Sequence, residues 1–386
     1  MDILVLDDNL VAREFVNEYE SFIWTERYSD IGDFELKIKS DRGTRELLKI
    51  GTHLGIRESY RVMTVETSED GISSDGVAIL TLKGRSMERY LDKRGTRPVT
   101  WVPYKSSPWK ISYTPKVALE HVFAYACGDL GNTVDLFPYY DSGAYLPAGN
   151  IPLPDTVLDL TVEPKSLYAW TKEIADAWEL GFRVVKNPTT NLLHYDVYTG
   201  NDRTTAQTTY PAVVFAPELE NLSNTTEIRS IASQNTAAYV YGVNANAIVY
   251  SDGYSDSSVG LDRQVITVLA DDIDLPVGAA LTAALVQKGL EELAKHRALI
   301  GFDGEVPETG TYRYGTDYGL GDLVEVRNSD GLTTNMMVTE QIFVSDPEGD
   351  RAYPTFITHT VVTPGSWYAW TSGQVWDDAT EYWDTA

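Results

Sequence analysis

Polar and apolar residues alternate in short runs over the first hundred positions. Phe34, Leu36 and Ile38 alternate strictly with Glu35, Lys37 and Lys39, the period-two pattern of a strand with one buried face. Residues 14–28 alternate in the same manner over a longer stretch, and Ile31, Gly32 and Asp33 separate the two runs. Residues 2–6 make a short apolar strand, and further strands are expected at 52–58, 62–67 and 77–83. Residues 69–76 supply the Asp, Gly and Ser of a hairpin tip. Short, evenly spaced strands predict a small antiparallel β-barrel or sandwich over residues 1–100.

The texture changes near Thr96. Pro98, Pro103, Pro108 and Pro115 mark a linker-like passage. Residues 117–127 then form an apolar helix stopped by Gly128, and residues 166–180 place Leu167, Trp170, Ile174 and Trp178 on one helical face. Strands at 182–185 and 193–198 flank a turn at 187–191, so residues 101–212 form an α+β unit. Strands resume at 226–232, 237–242 and 263–269, before a long helix near 279–298 with Leu281, Leu285, Val286, Leu290 and Leu293 on its buried stripe. The remaining strands are expected at 302–306, 324–326, 336–344 and 355–362. The expected fold is mixed and mainly β. Two similar small antiparallel β-barrels, at 1–100 and 213–362, enclose the α+β unit, and the second carries a helical insertion near 270–300.

The similarity of the barrels rests on an internal repeat. Gly51-Thr52-His53-Leu54-Gly55-Ile56-Arg57-Glu58-Ser59, followed by residues 62–66, parallels Gly321-Asp322-Leu323-Val324-Glu325-Val326-Arg327-Asn328-Ser329, followed by residues 336–340. Each is a glycine-led strand, a turn, and a second strand ending in Glu66 or Glu340. Two unrelated antiparallel hairpins would give a similar pattern. As a true repeat, it makes a closed three-fold ring of such chains display six barrels in quasi-equivalent places.

Charge narrows the function classes. Lys+Arg 31 against Asp+Glu 57 gives a net charge of -26. Such a surface repels phosphate backbones and anionic membranes. It serves solubility, or it lines an assembly through which nucleic acid passes without sticking. No apolar run approaches the length of a membrane helix, and Met1 to Asp8 resemble a first strand rather than a signal peptide. The single cysteine, Cys127, allows no intrachain disulfide and fits folding in a reducing cytoplasm.

No catalytic constellation assembles from the residues. His53, His121, His194, His296 and His359 are scattered singly, without zinc-ligand spacing. Cys127 ends an apolar helix and suits a buried small hydrophobe better than a nucleophile. Asp271, Asp272 and Asp274 precede Pro276 and a helix, which fits helix-start chemistry better than a metal site. The acids of 252–256 and 346–350 suit loop tips. The expectation is a non-enzymatic chain with no cofactor and no metal. The alternative, from abundant aromatics and surplus carboxylates, is a carbohydrate-binding or cell-wall hydrolysing protein.

Residues 363–386 differ from the rest. From Ser366 on there is no Lys or Arg, but there are Asp377, Asp378, Glu381 and Asp384 together with Trp367, Tyr368, Trp370, Trp376, Tyr382 and Trp383. The segment is too short to bury those rings on itself. Trp and Tyr anchor interfaces, so these six residues are the candidate interaction site.

Residues 21–36, with Trp24-Thr25-Glu26-Arg27-Tyr28 and Gly32-Asp33-Phe34-Glu35-Leu36, resemble the N-terminus of siphophage minor tail proteins related to baseplate hubs. Residues 84–94, 215–218, 291–296, 318–324 and 353–356 follow in that family's order, so the resemblance covers residues 14–357. It implies a structural tail-tip hub: a homotrimer with two barrels per subunit in a pseudo-six-fold ring around the DNA exit channel. Its implied partners are the distal tail protein, the tape measure protein, and tip spike or receptor-binding proteins. Neither sequence-specific nucleic-acid binding nor membrane insertion by this chain is implied. The implied location is the virion tail tip. Some such hubs carry a fused C-terminal lytic domain, for which a chain ending at Ala386 leaves no room.

Overall fold

The computed structural model describes residues 1–72, 76–98, 107–130, 135–137, 140–141, 146–251, 259–271, 273, 275–296, 299–306, 311–328 and 333–358. The first stretch contains β1 (Ile3–Leu6), β2 (Ala12–Val16), β3 (Ser21–Arg27), β4 (Asp33–Lys39), α1 (Arg42–Leu47), β5 (His53–Ile56), β6 (Met63–Ile72), β7 (Ala78–Ser86) and α2 (Arg89–Asp92). The middle contains β8 (Lys110–Tyr113), α3 (Pro115–Ala126), β9 (Leu158–Thr161), α4 (Leu167–Ala177), β10 (Gly181–Lys186) and β11 (Leu193–Tyr198). After these come β12 (Val214–Phe215), β13 (Ser223–Ser230), β14 (Ala237–Gly242), β15 (Asn246–Tyr250), β16 (Val265–Ala270) and α5 (Ala279–Lys295). The last strands are β17 (Leu299–Glu305), β18 (Leu323–Arg327), β19 (Thr333–Asp346) and β20 (Gly349–Thr358).

The strict alternation in β4 is observed: Phe34, Leu36 and Ile38 are buried while their neighbours are not. Residues 14–28 do not form one strand. They split between β2 and β3, because β2 pairs with β1 while β3 pairs with β4 and β19. The helix α1 has no counterpart in the pattern. It buries no side chain and is set by Asp41, whose carboxylate accepts the Thr44 N–H at 2.8 Å.

Thirteen strands form one sheet. Its main path runs β13-β17-β20-β19-β3-β4-β7-β6-β5-β1-β2, with β18 on β19 and β12 on β18. The expected pair of separate closed barrels is not what forms: among the described residues no pairing closes a ring. The physical reason is β3. Its outer edge, instead of returning to its own half, pairs antiparallel with β19 from Arg27↔Glu340 to Phe22↔Ser345. The length of β19 permits this, since residues 333–337 pair with β18 and residues 340–345 pair with β3.

The repeat itself is present strand by strand. In the first half β5, β6, β7, β4 and β3 are successive neighbours, and in the second β18, β19, β20, β17 and β13 follow the same order. The hydrogen bonds repeat too. Gly51, at φ +92°, donates to Val65 O at 2.8 Å, and Val65 N–H donates to Thr52 O at 2.9 Å. Gly321, at φ +86°, donates to Val338 O at 2.8 Å, and Val338 N–H donates to Asp322 O at 3.0 Å. Both second strands carry a β-bulge immediately afterwards, between Val65 and Thr67 and between Val338 and Glu340. Val65 therefore matches Val338, and Glu340 matches Thr67 rather than Glu66. One difference is that β1 runs antiparallel to β5, whereas β12 runs parallel to β18.

Each half of the sheet lines its own core, one around Phe22, Trp24, Phe34 and Leu36, the other around Phe215, Tyr318, Val338 and Phe356. A third core is built by α3, α4, β10 and β11, where Phe123 stacks on Tyr195 with centroids 4.1 Å apart. Ser166 caps α4 by accepting the Ala169 N–H at 3.0 Å, and Leu167, Trp170, Ile174 and Trp178 are buried as the periodicity predicts.

Residues Asn235–His296 belong to a second compact unit. There β15, β14 and β16 form a sheet, with β14 and β16 parallel, against which α5 packs Leu281, Leu285 and Leu293. Strand β15 was not anticipated. The helix starts at Gly278 with no side-chain cap, so Asp271 does not serve its start; Asp272 and Asp274 lie outside the described residues. Among the described residues, no helix is long and apolar enough to cross a membrane.

Candidate assembly site

Strand β3 carries Phe22, Trp24 and Glu26 on its core face. Glu26 is thus a carboxylate delivered to a core by strand periodicity. Its Oε1 accepts Trp24 Nε1–H at 2.8 Å and its Oε2 accepts the Tyr314 hydroxyl at 2.9 Å. Arg61, 3% exposed, lies 3.7 Å from Glu26 and donates to Glu88 Oε1 at 2.7 Å and to Arg27 O at 2.7 Å. Glu88 Oε1 also accepts the Val184 N–H at 2.8 Å. One buried arginine therefore ties β3, α2, β10 and the segment before β18. Burial would lower the Arg61 pKa, but Glu88 and Glu26 outweigh it and raise the value, so the cation is permanent.

Where β3 meets β19, Arg27 donates to Glu340 at 2.6 Å and also holds Asp33 and Ile31 O. A second ionic knot lies beside Gly321. Asp322, 3% exposed, accepts Asn201 N–H at 2.7 Å, Arg203 Nε–H at 2.7 Å and Gly319 N–H at 3.0 Å. Burial pushes its carboxyl pKa up, against those donors.

The bulge in β6 turns Glu66 onto Arg85, at 2.7 Å, and Arg89, at 2.8 Å. Glu66 and Arg85 line a shallow groove with Asp33, Glu35, Lys83 and Gly84, in which Lys83 holds Glu35 at 2.9 Å.

The residues weighed for catalysis are dispersed. His53 meets Thr64 Oγ1 at 3.0 Å, His121 sits among the rings of Trp109, Tyr113 and Tyr125, and His194 is buried on β11. His296 follows α5, and His359 lies outside the described residues. Cys127 is fully buried, and that burial pushes its thiol up to about 12. The acids at 346–350 occupy the β19–β20 hairpin tip, where Arg351 binds Glu348 at 2.8 Å and also Asp346. The acids at 252–256 lie outside the described residues, as do Trp367, Tyr368, Trp370, Trp376, Tyr382 and Trp383. Among the described residues, no group of three or more His, Cys, Asp and Glu side chains could hold a metal ion.

Among the described residues, the strand edges without a paired strand include two long exposed stretches. Strand β13 ends the sheet and is exposed at every position from Ser223 to Arg229, so neither of its faces is covered. In β6, residues 67–72 are likewise exposed; β7 pairs with one edge, while β5 reaches only Met63 and Thr64 on the other.

The fold is that of phage tail proteins. The tail protein from Neisseria meningitidis MC58 superposes with a TM-score of 0.58 at 13% identity, covering 94% of this chain and 98% of that one. The 43 kDa tail protein of prophage MuSo2 from Shewanella oneidensis gives 0.55 at 14% identity, over 92% and 97%. Prophage tail protein gp18 from Listeria monocytogenes EGD-e gives 0.50 at 12%, over 96% and 98%. Among curated proteins no sequence matches. A family model does, over residues 2–356, and the chain belongs to the Siphovirus ReqiPepy6 Gp37-like proteins.

Proposed function

We propose that this chain is a structural hub subunit at the tail tip of a long-tailed phage. Three copies form a ring that joins the tail tube and distal tail protein to the tip and surrounds the DNA exit channel. The observation that carries this reading is the strand-by-strand duplication. A three-fold ring of chains with two equivalent halves presents six similar positions, so it can join a six-fold tube to a three-fold tip. The net charge of -26 suits a channel wall that does not retain nucleic acid. The ionic knots fit a structural role, because Arg61 is paired with Glu88 and Glu26, and Asp322 with Arg203, inside the fold. Light scattering of the full chain should give three times its 42.9 kDa mass, and imaging should show a ring with apparent six-fold features. A monomer that never joins a virion would sink the proposal.

The aromatic–acidic segment is the proposed contact to a neighbouring tip protein or subunit, through Trp367, Tyr368, Trp370, Trp376, Tyr382 and Trp383. Deleting residues 366–386 should weaken tip assembly while leaving the thermal unfolding of the sheet unchanged; equal assembly would refute it.

A further inference from the structure

Strand alternation in the second compact unit gives its small sheet two unlike faces. Ala238 and Val240 on β14, Val249 on β15, and Val268 and Ala270 on β16 turn to α5. Their neighbours turn the other way. Tyr239 pairs with Ile248, Tyr241 with Leu269, and Ala237 with both Tyr250 and Val265, so these side chains lie side by side on the open face. Leu269 is 69% exposed and Ile248 56%. The three strands contain no Asp, Glu, Lys or Arg. Arg263, just before β16, brings a cation to this face: its guanidinium lies 5.5 Å from the centroid of the Tyr250 ring and donates to the Tyr239 hydroxyl at 3.4 Å. In a chain of net charge -26, an apolar face with a cation and no carboxylate stands apart. Contiguous apolar patches of this kind mark surfaces that something covers.

We infer that the aromatic–acidic segment, residues 366–386 of the same chain, docks on this open face. Three observations support that occupant. The chemistry is complementary: the segment brings large rings and acids without a single Lys or Arg, and the face offers apolar surface and Arg263. In an extended run Tyr368, Trp370 and Trp376 share one side with Asp378, so these rings cover the face while Asp378 approaches Arg263. The length suffices. Strand β20 ends at Thr358, and residues 359–386 span about 90 Å when extended, whereas a compact chain of this size has a radius of gyration of about 21 Å. The tether also favours the chain's own face over any other, because it keeps the local concentration of the segment high. Trp367, Tyr382 and Trp383 are left for a neighbouring tip protein, which meets a segment already held in place.

This docking goes beyond the contact proposed above, and it is tested on the full chain outside any tip assembly. Chymotrypsin cuts after aromatic residues, so the rate at which it releases fragments of 366–386, read by mass spectrometry, reports how firmly the segment is held. Ile248→Glu together with Leu269→Glu puts carboxylates on the face. Both side chains are exposed, so the fold should be kept, which circular dichroism checks. The double variant should lose the segment about tenfold faster or more. Arg263→Glu should act in the same direction, while Ile50→Glu, exposed in the first half of the chain, should change nothing. Wild-type protection should not depend on chain concentration, because the tether supplies the partner. Equal cleavage of wild type and double variant overturns the docking and leaves the contact to a neighbour standing. Protection that disappears on dilution overturns it too, since the occupant is then another copy.

Discussion

Arg27 and Glu340 face each other across the two halves of the chain, paired through the backbone and joined by a hydrogen bond of 2.6 Å. Arg27 also holds Asp33 and the carbonyl of Ile31, so one side chain fixes both the turn into β4 and the joint to β19. A double-mutant cycle with Arg27→Met and Glu340→Gln should give a coupling of about 1 kcal/mol, because both groups are only partly withdrawn from water. Chemical denaturation of the four proteins measures it. Zero coupling would mean that backbone pairing alone holds the joint.

Arg61 is a buried cation held between Glu26 and Glu88. Arg61→Met leaves Glu26 and Glu88 buried without their cation and should destabilise the fold by about 3–5 kcal/mol. Adding Glu26→Gln and Glu88→Gln should recover part of that loss. A triple variant no more stable than the single one would show that the arginine acts through packing instead of charge.

The matched glycines should not respond equally. Gly51→Ala meets only backbone strain, since φ is +92° and nothing lies within 4 Å of the new Cβ, and it should cost roughly 1–2 kcal/mol. Gly321→Ala adds a clash, with the Tyr28 ring 2.4 Å from the new Cβ. That ring is pinned because its hydroxyl donates to Glu179 O at 3.1 Å and Tyr198 O at 3.0 Å. The cost should be about 3 kcal/mol or more. Comparing the two denaturation midpoints tests the difference, and equal losses would contradict it.

Glu66 links stability to acidity. Its hydrogen bond from Arg85 outweighs desolvation, and with Arg89 it holds the carboxyl below the ordinary value of 4.5. A lowered folded-state pKa contributes stability that is fully present above the unfolded value and is lost as pH falls through the folded one. Wild type should therefore exceed Glu66→Gln in urea resistance at neutral pH, and the gap should close below about pH 4.5. A gap independent of pH would show that the charge is not the cause.

Local patterning made most elements legible. Alternation placed β4, helical spacing placed α4 and α5, and the glycine-led hairpins disclosed the repeat. What stayed hidden depends on distant partners. Nothing near Phe22 or Arg27 signals that β3 will pair with residues more than three hundred positions away, so two barrels were expected where one sheet forms. The match of Glu66 with Glu340 erred by one, because the pairing aligns Val65 with Val338, which leaves Glu66 at the unpaired bulge position and Glu340 one residue beyond it. Glu26 was discoverable: period two from Phe22 and Trp24 assigns it to the core, where a carboxylate demands a cation. The cation, Arg61, is supplied by a loop, for which no periodicity exists. The six aromatic residues of the terminal segment rest on composition alone.

Between β3 and β4 the chain needs only residues 28–32, yet between the equivalent β13 and β17 it runs through residues 231–298 and folds a separate unit on the way. A doubled scaffold owns a spare copy of every connection. One copy stays short and preserves the joint, while the other is at liberty to host a passenger. The passenger occupies one connection only, and residues 231–298 mark the natural graft point for fitting a new module to this frame.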